Sequence, residues 1–257
     1  MTLHADAGLP TVHDVDRVRT VSFNRPAKLN ALTRADIAAV RQAVEDLPAT
    51  AACVVFAGTG SRAFSAGVHV ETFHGLDPRE ARRFISELAA MIAAARRAPV
   101  PTLCAINGYC LGGAMELAMA CDLRVASTDA VFGMPEIKVG IPSVLDAALL
   151  QQHLGLAKAK ELLLTGDLYG VDELEPLGLL NRVVAPQDLH QAVGELVARV
   201  SGHSPAAVAA QKRLFETWQN AGLQTSIDAS IEEFADVFAD EGTQERIRSY
   251  RRRDDRA

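Results

Sequence analysis

The chain is predicted to fold as one α/β domain followed by a helical C-terminal region. Three observations carry this expectation. Short apolar runs of strand character alternate with amphipathic helical stripes through the first half of the sequence. From Ser143 onward the pattern is almost wholly helical. The length of 257 residues is enough for one large domain with a substantial core, and nothing in it argues for two independent domains.

The elements follow in order. Residues 15–24 alternate around Val18, Val21 and Phe23 as a half-buried strand does, and Arg25-Pro26 ends it. Thr33 with Asp36 three residues later reads as a helix cap, and Ile37, Val40, Val44 and Leu47 supply that helix's core stripe. Residues 53–57 form the next strand, closed by Gly58-Thr59-Gly60. Asp77-Pro78 starts a second helix in which Phe84, Ile85, Leu88, Met91 and Ile92 recur at helical spacing, up to the breakers Pro99 and Pro101. Residues 123–126 and 130–133 are short strands around a polar turn. Beyond a helix begun at Ser143, the stripes are Leu149, Leu150 and Leu154, then Leu162 and Leu163.

The most informative stretch is residues 102–122. An apolar run from Leu103 to Ile106 gives way to the turn signal Asn107-Gly108, and Gly112-Gly113 then opens a run of good helix formers. Two glycines at a helix start let another molecule approach the backbone, and the first-turn N–H groups there have no partner inside the helix. Such a place suits a developing negative charge. Glu116, three residues after Gly113, is the one charge in this apolar run before Asp122, so it is either paired in the fold or functional.

A net charge of −6 and an acidic isoelectric point argue against nucleic acid or an anionic membrane as the main partner. The basic run at residues 246–253 is the local exception, read as a solvated helix face or as a contact to a phosphate or a neighbouring subunit. The first thirty residues hold no signal-peptide core, and a cytoplasmic location is expected. Cys53, Cys104, Cys110 and Cys121 lack the spacing of metal or disulfide frameworks and read as small buried residues; no metal is expected. Residues 103–121 are of marginal length for a membrane span and contain Asn107 and Glu116, which favours a buried core segment.

Two motifs imitate other enzymes. Gly58-Thr-Gly60-Ser-Arg-Ala63 nearly matches a dinucleotide fingerprint, but that motif must open a helix at once, and Phe64-Ser-Ala-Gly67 interrupts any helical stripe. Ala63-Phe-Ser65-Ala-Gly67 imitates a nucleophile elbow, with His153, His190 and His203 downstream as possible bases. It needs a strand ending at Ser65, whereas Gly58 and Gly60 place the strand's end earlier.

Asn-Gly-Tyr-Cys-Leu-Gly-Gly-Ala-Met-Glu-Leu-Ala at 107–118, followed by Cys121-Asp122 and by Phe-Gly-Met-Pro-Glu-Ile at 132–137, resembles the core of the enoyl-CoA hydratase family, the crotonases. The similarity runs from about Val15 to the C-terminus. The resemblance implies a crotonase-like spiral of β-β-α units over residues 1–200. It implies a helical region at 201–257 that covers the active site and builds homotrimers, often paired as dimers of trimers. It further implies reversible hydration of a trans-2-enoyl-CoA to the 3-hydroxyacyl-CoA, with CoA arriving as part of the acyl-CoA thioester substrate and no other cofactor.

Adding water across a double bond conjugated to a thioester pushes charge onto the thioester oxygen, and backbone donors aimed at that oxygen are each worth about 3 kcal/mol in a dry site. By resemblance these donors are the N–H groups of Val68 and Gly113. Glu116 matches the residue that activates water and Glu136 the one that protonates the α-carbon, a division that can reverse. Lys28 and Ala66 fall in segments that meet CoA. Ile141, Pro142, Val144 and Asp146 fall where the acyl pocket is lined. This segment departs from the glycine-rich run usual in short-chain hydratases, and His69 stands where many relatives carry Asp. Asp146 reads either as a third acid, which would favour double-bond isomerisation, or as a charge on the outer face of its helix. Thioester hydrolysis, decarboxylation and non-catalytic acyl-CoA binding are the remaining alternatives within the family.

Overall fold

The computed structural model describes residues 8–254, and a β-β-α unit recurs along them. β1 (Thr11–Val15) and β2 (Val18–Phe23) open the chain as an antiparallel hairpin. Asp16 and Arg17 join them, both at positive φ, as a two-residue turn matched to the strand twist requires. One strand was expected from residue 15; the hairpin went unseen because neither turn residue is glycine. α1 (Arg34–Glu45) begins with the expected cap: the Thr33 side chain accepts the Asp36 N–H while Asp36 accepts the Thr33 N–H.

Three units then follow. The first is β3 (Cys53–Gly58), β4 (Ala63–Ser65) and α2 (Pro78–Arg97), and the second is β5 (Thr102–Ile106), β6 (Tyr109–Leu111) and α3 (Gly113–Ala120). The third is β7 (Leu123–Ser127) and β8 (Val131–Gly133), continued by 3-10 turns at Pro135–Val139 and Leu145–Leu149, then α4 (Leu150–Leu154) and α5 (Leu156–Thr165). β9 (Leu168–Gly170), α6 (Val171–Leu174), β10 (Arg182–Val184) and α7 (Leu189–Ser201) lead into α8 (Pro205–Asn220), α9 (Leu223–Val237) and α10 (Glu241–Asp254).

Each unit gives its first strand to a six-stranded sheet, β1-β2-β3-β5-β7-β10, and its second to a four-stranded sheet, β4-β6-β8-β9. β3, β5 and β7 run parallel in one, and β4, β6 and β8 run parallel in the other. The chain therefore climbs one strand per turn in both sheets, which is the β-β-α spiral. Alternation along β3 shows how the large sheet is covered. Val54 and Phe56 face the main core, while Cys53 and Val55 face α7 and its Ala192 and Val193. Strands buried on both faces read as continuous apolar runs, which is why β3 and β5 were legible.

β8 falls within the strand expected at 130–133, marked by the polar turn before it. β4, β6, β9 and β10 were not legible: they are three residues each, too short to display a period, so the region after Ser143 is less purely helical than its pattern predicts. The helix expected from Ser143 is instead a 3-10 turn from Leu145, a residue at φ 49, before α4. Residues 103–121 are β5, β6 and α3, and no helix among the described residues is long and apolar enough to cross a membrane. All four cysteines are free and buried. Of the basic run at 246–253, the side chains from 251 onward lie outside the described residues.

The two rival motifs find no support in this backbone. Gly58 sits where the chain doubles back from β3 to β4, and a Cβ there would come within 2.7 Å of the Phe64 Cα; no helix follows. A strand does end at Ser65, contrary to expectation, but a loop follows it. Ser65 is fully buried, donating to the Asn30 carbonyl at 2.8 Å and accepting the Gly67 N–H, so its hydroxyl is structural.

Phe64 is fully buried on the small sheet and meets Phe23 of the large sheet edge-to-face at 5.1 Å between ring centroids. Phe64→Ala should cost about 3–5 kcal/mol of stability, read as a lowered denaturant midpoint at unchanged slope. A loss under about 1 kcal/mol would mean that this contact does not hold the sheets together.

Candidate active site

Three parallel strands of the small sheet end side by side, and the chain leaving each one delivers a different part of the site. After β4 the loop reaches Val68. It is fastened by the segment before it: Leu29 and Asn30 both take left-handed φ, and the buried Asn30 side chain donates to the carbonyls of Thr59 and Ala63 at 3.0 and 2.8 Å. The Leu32 N–H then donates to the Gly67 carbonyl, and the His69 N–H to the Leu32 carbonyl, both at 2.8 Å. In a parallel bridge of this kind the flanking residues carry the bonds, so the N–H of Val68 takes no part in it and is directed away from Leu32; Val68 lines the cavity shared by Glu116 and Glu136. Gly67 permits the close approach. A Cβ there would lie 2.6 Å from the Leu111 carbonyl oxygen and 3.3 Å from the Gly113 nitrogen.

After β6 the chain turns through Gly112, at φ 53, directly into α3. Gly113 is the first residue of that helix, so its N–H has no acceptor one turn back. The side chains of Val68 and Leu88 close over it, 3.6 and 3.3 Å from where a Cβ would stand. All eight residues of α3 are buried, Glu116 among them in the first turn. At the other end of the helix, Arg124 donates to the carbonyls of Ala118 and Cys121 at 3.0 and 2.7 Å, placing a cation where the helix dipole is negative.

After β8 the turn Pro135–Val139 presents Glu136. Its carboxylate lies over Gly112, where a Cβ would collide with Oε1, and Ser143 Oγ donates to Oε2 at 3.1 Å. Glu116 and Glu136 thus share one cavity of about 230 Å³ with Ala66, Val68, Gly112 and Gly113. Ile141, Pro142 and Val144 complete its wall. Together with Phe73 and Ile85 they also border a second apolar cavity of about 520 Å³, extended by Leu76, Ala81 and Phe84.

The electrostatics follow from the dryness. Burial first, then the neighbouring Glu136, with a smaller contribution from Asp146, pushes Glu116 up from 4.5 to about 8; the Ala147 N–H, donating to Oε1 at 3.3 Å, works against this. Burial likewise raises Glu136, partly offset by Ser143. Both carboxyls are thereby shifted toward keeping a proton, Glu116 in part because Glu136 is its neighbour. An acid, a base and two backbone donors facing one apolar cavity can move protons on a substrate whose carbonyl oxygen gains charge.

One expectation is corrected, and the remaining residues are placed as follows. Asp146 does not line the cavity with Ile141, Pro142 and Val144, nor does it stand on an outer face. It is buried behind the cavity and paired with Arg96 of α2. Lys28 is exposed at the end of a 3-10 turn and is not among the residues lining the cavity. Ala66 lines it, with its N–H already donated to the Leu29 carbonyl at 2.9 Å. His69 caps the turn Val70–Phe73, its Nδ1 accepting the Glu71 N–H at 3.3 Å. Gly112 stood out in the sequence as a helix-start glycine, without its role of making room for Glu136; Ser143 and the Ala147 N–H carried no signal as site groups.

Known proteins resemble this chain over most of its length. A family model described as enoyl-CoA hydratase/isomerase matches residues 15–256. A crotonyl-CoA hydratase of Syntrophomonas wolfei is 34% identical over 227 residues, covering 87% of this chain and 85% of its own. A short-chain-enoyl-CoA hydratase of Clostridium acetobutylicum is 29% identical over 91% of both chains. The solved structure of an enoyl-CoA hydratase from Mycobacterium smegmatis superposes with a TM-score of 0.90 at 28% identity, over 95% of this chain and 96% of that one.

The raised Glu116 carries a stability signature. Because the folded state holds this proton to about 8 while an unfolded glutamate releases it near 4.5, the folded state binds more protons between those values, and stability falls as pH rises through that window. Glu116→Gln, which cannot ionise, should remove this loss. Its stability relative to the parent should grow by on the order of 3 kcal/mol from pH 4.5 to 8.5, measured by denaturant titration. Parallel pH dependences in the two proteins would show that Glu116 is not held protonated by its surroundings.

Proposed function

The chain belongs to the enoyl-CoA hydratase/isomerase family, and from that premise we propose that it adds water reversibly to a trans-2-enoyl-CoA, giving the 3-hydroxyacyl-CoA. One observation carries the reading: two carboxyls, both raised by burial, line the same apolar cavity as Val68, whose N–H takes no part in the bridge to Leu32, and Gly113, the first residue of α3.

In this mechanism the thioester oxygen lies between the Val68 and Gly113 N–H groups, which strengthen their hold as it becomes enolate-like. Hydration starts from the form in which Glu116 is ionised and Glu136 carries the proton: Glu116 takes a proton from the attacking water, whose oxygen bonds to the β-carbon, and Glu136 gives its proton to the α-carbon. The Ala147 N–H favours the ionised form of Glu116, as a base requires. In the reverse dehydration the two exchange roles. No prosthetic group enters the scheme, since CoA travels on the substrate. Along the CoA arm, Ala66 supplies backbone and Lys28 a point charge for a phosphate. The apolar second cavity beyond Ile85 and Val144 suits an acyl tail longer than that of crotonyl-CoA.

A homotrimer, or a dimer of trimers, is part of the same proposal. It is supported by the apolar side chains exposed along α8 and α9, among them Trp218, Leu223, Ile231 and Phe234. A sedimentation experiment yielding only monomer would remove it.

Crotonyl-CoA and longer trans-2-enoyl-CoA thioesters, followed by loss of the conjugated thioester absorbance, test the activity directly. Glu116→Gln and Glu136→Gln should each lower kcat by about 10²-fold or more while KM changes little. Full activity in both variants would end the mechanism. Products differing from substrate only in double-bond position would replace hydratase by isomerase.

A further inference from the structure

Hydration as proposed employs Glu116 but leaves unused a chain of charges behind it. Asp146 is only 8% exposed and pairs with Arg96 of α2. The Arg96 Nε also reaches Glu216 of α8 at 2.8 Å, and Glu216 meets the Arg97 Nε at 3.3 Å. The next residue after Asp146 is Ala147, whose N–H donates to Glu116. Just before Asp146 stands Leu145, a branched residue held at φ 49. A non-glycine residue there costs on the order of 1 kcal/mol, so the turn Leu145–Leu149 must be held from outside.

We propose that Asp146 is a positioning residue for Glu116. Clamped by Arg96, and through Arg96 by Glu216 of the C-terminal helix α8, it fixes the strained turn that aims the Ala147 N–H at the Glu116 carboxylate. The proposal rests on the hydratase reading for what Glu116 does, but not for where the clamp sits. The third-acid role is set aside on geometry: Asp146 is not among the residues lining the cavity, and its carboxylate is engaged by the Arg96 guanidinium. Removing Arg96 or Asp146 alone leaves a buried charge unmatched, so the two act as a pair. The charged groups that face these residues are few. Glu116 faces Glu136 from the turn Pro135–Val139 and Asp146 from the turn Leu145–Leu149; Asp146 faces Arg96 and Arg97 from α2 and Glu216 from α8.

Two substitutions separate clamping from mere packing. Asp146→Asn keeps an oxygen for Arg96 but removes a negative charge near Glu116. Its kcat at the optimum should stay within about threefold of the parent, while the midpoint of the pH–rate profile moves to lower pH by roughly half a unit or more. Asp146→Ala releases the turn. It should lose about tenfold in kcat with KM within about twofold, because Glu116 is misplaced rather than the substrate. Parental kcat in Asp146→Ala, or an unmoved midpoint in Asp146→Asn, overturns the proposal. Glu216→Ala, outside the cavity, should lower kcat about threefold, and a parental rate there removes α8 from the clamp. If the parent protein turned over no enoyl-CoA, the hydratase reading would fall while this one stayed testable. The carboxyl infrared band that Glu116→Gln abolishes would still titrate lower in Asp146→Asn, and an unshifted band would refute the clamp.

Discussion

A carboxyl group sealed into the first turn of a wholly buried helix is the constraint on which this molecule depends. Glu116 sits in α3 with every neighbouring residue of the helix buried, and is itself only 3% exposed. Such a group is costly unless the surroundings keep it neutral or supply partners. Here both are used. Burial and Glu136 keep a proton close at hand, and the Ala147 N–H accommodates the charge when the proton leaves. The helix is also held at its far end, where Arg124 satisfies two of the carbonyls that the helix cannot.

The spiral explains why the other parts arrive at the same place. Each β-β-α unit leaves the small sheet one strand further along, so β4, β6 and β8 end in a row. The loop after β4 brings Val68, the turn after β6 brings Gly112, Gly113 and Glu116, and the turn after β8 brings Glu136. Sites at the carboxyl ends of parallel strands are a general habit of α/β architecture. In this chain the strands concerned are only three residues long, so their work is to place loops more than to build a sheet.

Close approach then does the fine adjustment. Glycine at 67 lets the Val68 loop lie against the start of α3, and glycine at 112 leaves space for the Glu136 carboxylate. Behind these, Asp146, Arg96 and Glu216 tie α2, α8 and the turn under Glu116 into one charged cluster. The C-terminal helices are thereby joined to the region of the site through named side chains, whatever further surfaces they cover.

Much of this was written in local pattern. The Thr33 cap, the apolar strands β3 and β5, the stripe of α2 and the paired glycines before Glu116 each express a preference that a few neighbouring residues decide. The motifs around Glu116 and Glu136 likewise marked the family. Tertiary structure alone decided the rest. β4, β6, β9 and β10 are too short to show a period, and the hairpin at Asp16-Arg17 uses a turn without glycine. Asp146 looked like an acid or a surface charge, because its environment is made by Arg96, fifty residues earlier, and by a helix seventy residues later. A sequence records which groups are present and which local shapes they favour. The proton a carboxyl keeps, and the partner a buried charge finds, depend on distances between segments far apart in the chain, and those exist only once the chain has folded.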